Sequence, residues 1–213
     1  MRRKAAGREP VATGMSYIDP PARIPLPLRV ALSLVERRLG RKLLANRILT
    51  WYPKLFIGSG VMEGLVAHDE PEVPRRLLNL IRVRTSFIVS CPFCIDMNGG
   101  EMLRRQERAG GVNVQEVKAL QGRVPLADVP SFSEKERVAL EYVQCICSTP
   151  LAFPSALMKK LTTAFSARAI VIIAGTCAQV NFWARLIQSL GAPPAGFSSP
   201  WPVLNVEAFS TVR

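Results

Sequence analysis

Cys91 and Cys94 are separated only by Pro92 and Phe93, and this spacing sets what the two thiols can do. Proline favours the first position of a helix, so Cys91 is the expected N-cap and Cys94 falls in the first turn. Unpaired backbone N–H groups and the helix dipole stabilise a thiolate there, lowering its pKa from about 8.5. Only about 3% of an ordinary thiol is ionised at neutral pH, and a pKa of ~7 raises that fraction more than tenfold. Two thiols in one helical turn can also close a disulfide, so one can attack and the other resolve.

Two other readings of the pair stay open: inert, buried cysteines and half of a metal site. Cys145 and Cys147 could in principle complete four zinc ligands. A C-x-C in a helix, however, turns its side chains to nearly opposite faces, and there is no second C-x-x-C. No metal is therefore expected. Cys177, within an apolar helix, reads as packing.

The elements that must position these thiols are helical. From about 28 to 54, Val30, Leu34, Val35, Leu39, Leu43 and Leu44 recur at helical spacing opposite a basic face, with Gly40 dividing the stretch. A second helix follows Pro53 and ends near 68–71. Pro74 opens a third, on which Leu77, Leu80, Ile81, Arg84 and Ile88 share a face. The motif helix runs over 92–109 and stops at Gly110-Gly111. Ser133 with Glu136 three residues on forms a capping box that starts a helix to about Cys145. The last helix begins near Ser166 and ends at Gly191, ahead of Pro193-Pro194. No segment alternates as a strand would, so the fold class is all-α. Residues 1–25, rich in proline and poor in apolar side chains, read as a flexible basic extension, with one domain over 26–213.

The stretch 79–98, NLIRVRTSFIVSCPFCIDMN, resembles the core of the alkylhydroperoxidase D and carboxymuconolactone decarboxylase family. That family places Arg-x-Ser shortly before a C-x-x-C and Asp-Met-His after it. Arg84, Ser86, Asp96 and Met97 fall in register. The segment from Phe165-Ser166 through Asn181 and Trp183 to Leu190-Gly191 is similar to the family's closing helix, and the likeness covers about 35–197. It implies an AhpD-like orthogonal bundle of antiparallel helical hairpins that self-associates as trimers or hexamers.

The resemblance also implies roles. Cys94 is the peroxidatic thiol and Cys91 the resolving one, recycled by an external dithiol with no cofactor. The family's proton relay, a glutamate before the motif and a histidine after it, falls on Asn79 and Asn98. Neither amide accepts a proton at neutral pH, and loss of a general base typically costs ~10²–10⁴ in rate. Asn98, one turn from Cys94, can still hydrogen-bond a thiolate. Glu101, one turn further, is a distant base or a partner of Arg104 and Arg105. Arg84 is either a thiolate stabiliser or an interhelical ion-pair partner. Without the relay the helix start favours Cys91 as the attacking thiol, while the resemblance assigns Cys94. Asn181 and Trp183 read as packing residues, and His68, the single histidine, as a solvated loop residue.

The net charge of +12 is uneven: residues 1–54 hold twelve Lys/Arg against three Asp/Glu. An arm of this kind can contact nucleic acid or an anionic membrane, but no aromatic interleaving or zinc-finger spacing supports base recognition. A solvated basic face is the expectation. Without a secretory pattern, the protein reads as cytoplasmic, with its five cysteines as thiols. The expected function is a thiol-dependent peroxidase or disulfide reductase acting on a small peroxide or disulfide. The rivals are a carboxymuconolactone decarboxylase-like lyase, against which the two motif cysteines argue, and a non-catalytic oligomeric scaffold.

Overall fold

The computed structural model describes residues 16–65 and 70–209. Residues 1–15 of the expected extension and the loop histidine His68 lie outside the described residues.

Among the described residues ten α-helices form where the punctuation of the sequence allows. Helix α1 spans Leu26–Leu39 and stops at Gly40, whose φ of 68° favours glycine. Short α2 (Leu44–Leu49) and α3 (Pro53–Leu65) follow. Helix α4 (Arg75–Ile88) opens after Pro74. Next, α5 (Pro92–Cys94), a π-helical turn (Ile95–Gly99) and α6 (Gly100–Arg108) make one near-continuous run, as the sequence suggests for 92–109. Helix α7 is Val114–Leu120 and α8 is Glu134–Ile146, the latter begun by the Ser133–Glu136 capping box. Helices α9 (Ser155–Ala164) and α10 (Ala167–Ser189) close the order. Among the described residues no sheet strand forms; one antiparallel bridge pairs Glu70 with Val73.

Sequence periodicity missed α7 and α9. It also gave α4 a single buried face, whereas Leu77, Leu78, Leu80, Ile81, Val83, Thr85, Ser86 and Phe87 are all buried. This helix is a central strut. One core packs Leu77 and Ile81 with Val143, Leu161 and Ile173. A second core, on the other side of α4, packs Leu80 and Val83 with Leu103, Leu120 and Leu140. A third gathers Cys91, Phe93 and Cys94 with Leu43, Ala184, Ile187 and Phe197. Helices α4 and α10 pack against each other and carry side chains into these cores. By length and composition α10 could cross a membrane, with mean hydropathy 1.5. It packs against α4, α8 and α5, with 39% of that span buried.

Tyr17 and Asp19, within the extension expected over 1–25, bond to the helical body. The backbone N–H of Tyr17 donates to Leu190 C=O at 3.1 Å, and the Trp51 indole N–H donates to Asp19 C=O at 2.8 Å.

Candidate active site

The entry to the motif is a helix stop followed at once by a helix start. Ser90 adopts a left-handed φ of 48°. Its N–H donates to Phe87 C=O, and Cys91 N–H donates to Ser86 C=O, the paired closure of a Schellman turn. Pro92 then occupies the first helical position and Cys91 the N-cap, as the spacing predicts. The backbone N–H of Cys94 donates to Cys91 Sγ at 3.2 Å. Negative charge on Cys91 is therefore favoured at this helix start. The two cysteines are joined as a disulfide, with Cα atoms 5.2 Å apart.

Access distinguishes the two sulfurs. Cys91 is 0% and Cys94 2% exposed. A narrow cavity of about 20 Å³, room for a water-sized molecule, is lined by Cys94 and not by Cys91. Phe93, Met97, Val180, Trp183 and Ile187 form its apolar wall. Its polar wall is Asn98, Glu63, Arg82 and Gln179. Trp183, expected to be a packing residue, faces the candidate chemistry.

Three of the four polar side chains, Glu63, Arg82 and Gln179, form a closed ring. Arg82 Nη1 donates to Glu63 Oε1 at 3.1 Å and Nη2 to Gln179 Oε1 at 3.2 Å. The Gln179 amide donates to Glu63 Oε2 at 2.9 Å. Each member fixes the other two, with Glu63 on the solvent side, its side chain 45% exposed against 20% for Arg82. None of the three was singled out in the sequence. Glu63 lies 19 residues before Arg82, and Gln179 lies 97 after it.

The other expected residues separate. Asn98 is at the site: its amide donates to Ser86 Oγ at 3.0 Å, and that hydroxyl donates to Arg82 C=O. Asn79 is elsewhere, on the wall of a wider cleft of about 470 Å³ together with Arg75, Arg76, Arg105 and Arg108. The carboxylate that reaches the Cys94 cavity comes from α3 instead. Glu101 pairs with Arg105 at 2.6 Å and Arg104 at 3.3 Å, the ion-pair alternative of its two readings. Arg84 is absent from the cavity wall. Its guanidinium donates to Ala119 C=O, Leu120 C=O and Gln144 Oε1. Asp96, in register with the family pattern, is a buried anchor. Its carboxylate accepts from Ala195 N–H at 2.8 Å, Ser198 N–H at 2.7 Å and Ser198 Oγ at 2.6 Å. These bonds draw the segment 195–198 over the π-helical turn. Gly100 lies so close beneath that a Cβ there would meet Phe197 O at 2.8 Å. No group of three or more His, Cys, Asp and Glu able to hold a metal occurs among the described residues.

An all-helical bundle with a C-x-x-C at a helix start on its central seam is the AhpD-like fold. No family model matches the chain. The protein YnjA of Escherichia coli K12, uncharacterized, is 26% identical over 179 residues, 84% of this chain and 94% of that one. A peroxidase-related protein from Silicibacter sp. TM1040 superposes with a TM-score of 0.70 at 18% identity, covering 84% of this chain and 91% of its own. The debrominase Bmp8, in complex with 2,3,4-tribromopyrrole, also gives 0.70 at 18% identity, over 90% and 97%. An alkylhydroperoxidase AhpD core protein from Ralstonia eutropha JMP134 gives 0.67 at 17%, over 84% and 91%. The family resemblance of the motif thus holds at the level of fold.

Proposed function

We propose that the chain is a thiol oxidoreductase in which Cys94 is the attacking sulfur and Cys91 the resolving one. The observation that supports this assignment is that Cys94 alone of the pair lines the cavity. Cys91 is sealed behind it with a backbone N–H directed at its sulfur. A helix start by itself favours ionising Cys91, but a nucleophile must also reach its substrate. Charge at Cys91 instead assists the second step, attack on the oxidised Cys94.

For a hydroperoxide the steps balance as follows. The Cys94 thiolate attacks one peroxide oxygen, the O–O bond breaks, and the leaving alkoxide takes a proton to depart as alcohol. Cys91 then displaces hydroxide from the Cys94 sulfenic acid, releasing water and forming the disulfide. An external dithiol reduces that disulfide to begin again. The ring of Glu63, Arg82 and Gln179 takes the part of the relay lost at Asn79 and Asn98. Glu63 accepts the Cys94 proton through a water, Arg82 stabilises the thiolate, and Gln179 holds both in place. Asn98 orients the oxidised sulfur by hydrogen bonding.

The cavity volume supports a small oxidant. A cavity of about 20 Å³ favours a peroxide oxygen over a ring such as the halogenated pyrrole bound by the debrominase. Self-association of the kind the resemblance implies, as a trimer or hexamer, is supported by Leu26, Val30 and Leu34. These residues form an apolar stripe on α1 and are 62%, 51% and 61% exposed.

The test is peroxide consumption by reduced protein with a dithiol reductant. In a Cys147→Ser background, which leaves the motif pair as the reactive dithiol, Cys94→Ser abolishes it and Cys91→Ser retains a single turnover. Equal loss in both variants at the first turnover removes the assignment.

A further inference from the structure

Away from the disulfide, α8 and α10 bring two more cysteines together. Cys147, the C-cap of α8, has its Sγ 3.6 Å from Cys177 Sγ. Sulfurs at that distance are in van der Waals contact, and a disulfide requires about 1.6 Å of further approach. Cys147 stands at the helix end, where few backbone bonds hold it. Three polar groups converge on the pair. The Asn181 amide donates to Cys147 Sγ at 3.4 Å and lies 3.6 Å from Cys177 Sγ. The Thr85 hydroxyl lies 3.4 Å from Cys177 Sγ. Arg84 holds its charge on the same side while its Nε, buried, lacks a protein partner.

Packing alone does not require these groups to surround two sulfurs. Cys177 is 0% exposed, whereas Cys147 is partly open to solvent. The two thiols share one hydrogen bond, and when Cys177 S–H donates it to a Cys147 thiolate the Cys147 pKa falls to about 7. Asn181, Thr85 and Arg84 push the same way, and burial opposes them. That same hydrogen bond, with burial and the Cys147 charge, pushes Cys177 upward. One sulfur is thus accessible and ionisable, and the other is buried and holds its proton.

We infer that Cys147 and Cys177 are a second redox-active dithiol, oxidised by hydroperoxides to a disulfide that ties the end of α8 to the middle of α10. The Cys147 thiolate attacks a peroxide oxygen, the O–O bond breaks, and alcohol leaves with a proton. The Cys147 sulfenic acid then condenses with the Cys177 thiol, a water departs, and the S–S bond forms. Each cycle moves two electrons. Cys145 is the non-participating thiol of the three. Asn181 and Arg84 are positioning residues that act through Cys147. The sequence hid this pair: Cys177 read as packing because its helix is apolar, and its partner lies 30 residues away.

The experiment uses the full chain with Cys91–Cys94 already closed, so that only three thiols remain to react. Treatment with hydrogen peroxide is followed by thiol counting and peptide mapping. The expected result is a fall from three thiols to one, with a peptide linking Cys147 to Cys177. Cys145→Ser still closes the link, Cys147→Ser abolishes it, and the Cys91→Ser/Cys94→Ser double variant, though inactive at the motif, still closes it. Iodoacetamide alkylation at pH 7 gives a second readout. Cys147 carries some sixteen times the thiolate of an ordinary cysteine. Its lower intrinsic nucleophilicity cuts that advantage to about threefold. Asn181→Leu moves the Cys147 titration upward. Persistence of three thiols, a link through Cys145, or a Cys147 that titrates near 8.5 in the folded parent overturns the proposal. Because the first pair is closed throughout, these outcomes do not depend on whether Cys94 is peroxidatic.

Discussion

Glu63 of α3 meets Arg82 of α4 at 3.1 Å on the wall of the cavity that Cys94 lines. A carboxylate thus returns to the site by a different route from the position that Asn79 occupies. Replacing Glu63 by Gln keeps the hydrogen-bonding shape and removes the base. The first oxidation of reduced protein by peroxide is expected to slow about 10²-fold, the lower end for loss of a general base. Stopped-flow kinetics at pH 7 measures it. A change of less than twofold removes Glu63 from the mechanism.

Asn98 lines the same cavity one turn beyond Cys94. Asn98→His inserts a group that accepts protons above pH ~6.5. Its oxidation rate is expected to exceed the parent's severalfold at pH 7.5 and to match it at pH 5. A pH–rate profile separates the two.

Asp96 and Gly100 hold the segment 195–198 over the motif. Removing the Asp96 carboxylate leaves three donors without an acceptor. Asp96→Ala is expected to cost about 3 kcal/mol. Gly100→Ala forces a Cβ against backbone and costs about 2 kcal/mol. Thermal denaturation checks both, at some 2–4 °C lost per kcal/mol for a chain of this size.

Much of this fold is legible in the residues that interrupt helices. Gly40, Pro74, Pro92, Gly110-Gly111 and the Ser133–Glu136 box each mark a boundary by local chemistry that tertiary contacts do not override. Helices α7 and α9 were not read because seven and ten residues hold too few turns for a clear apolar period, although Asn113 caps α7 through Gln115 and Glu116 N–H. The N-cap of Cys91 was legible because proline fixes it. The ring of Glu63, Arg82 and Gln179 was not, because each residue alone looks like a solvated polar side chain. Register along a helix places Arg84 near the motif but cannot say which side it faces. It faces Cys147.

The two inner thiols also leave a signature in stability. Folded Cys147 titrates near 7, below the unfolded value of about 8.5. Between those values the unfolded chain binds more protons than the fold, so stability rises with pH. Cys177 is held above its ordinary value, so beyond about 8.5 the fold keeps a proton that the unfolded chain loses, and stability falls. The charged and titratable groups around them are Arg84 and Tyr142, whose phenol is pushed up by burial and then by Cys177 and Cys145. Denaturant midpoints under reductant, parent minus Cys147→Ser, are expected to climb from pH 6.5 to 8.5 and then decline. A flat difference contradicts the paired titration.

The most direct test asks which sulfur peroxide oxidises first. Reduced Cys91→Ser protein is mixed with one equivalent of hydrogen peroxide and dimedone, and the adducts are mapped by mass spectrometry. A sulfenic acid adduct on Cys94, absent when Glu63→Gln is added within the mixing time, is the predicted result. Adducts confined to other cysteines, with Cys94 recovered as free thiol, contradict the account.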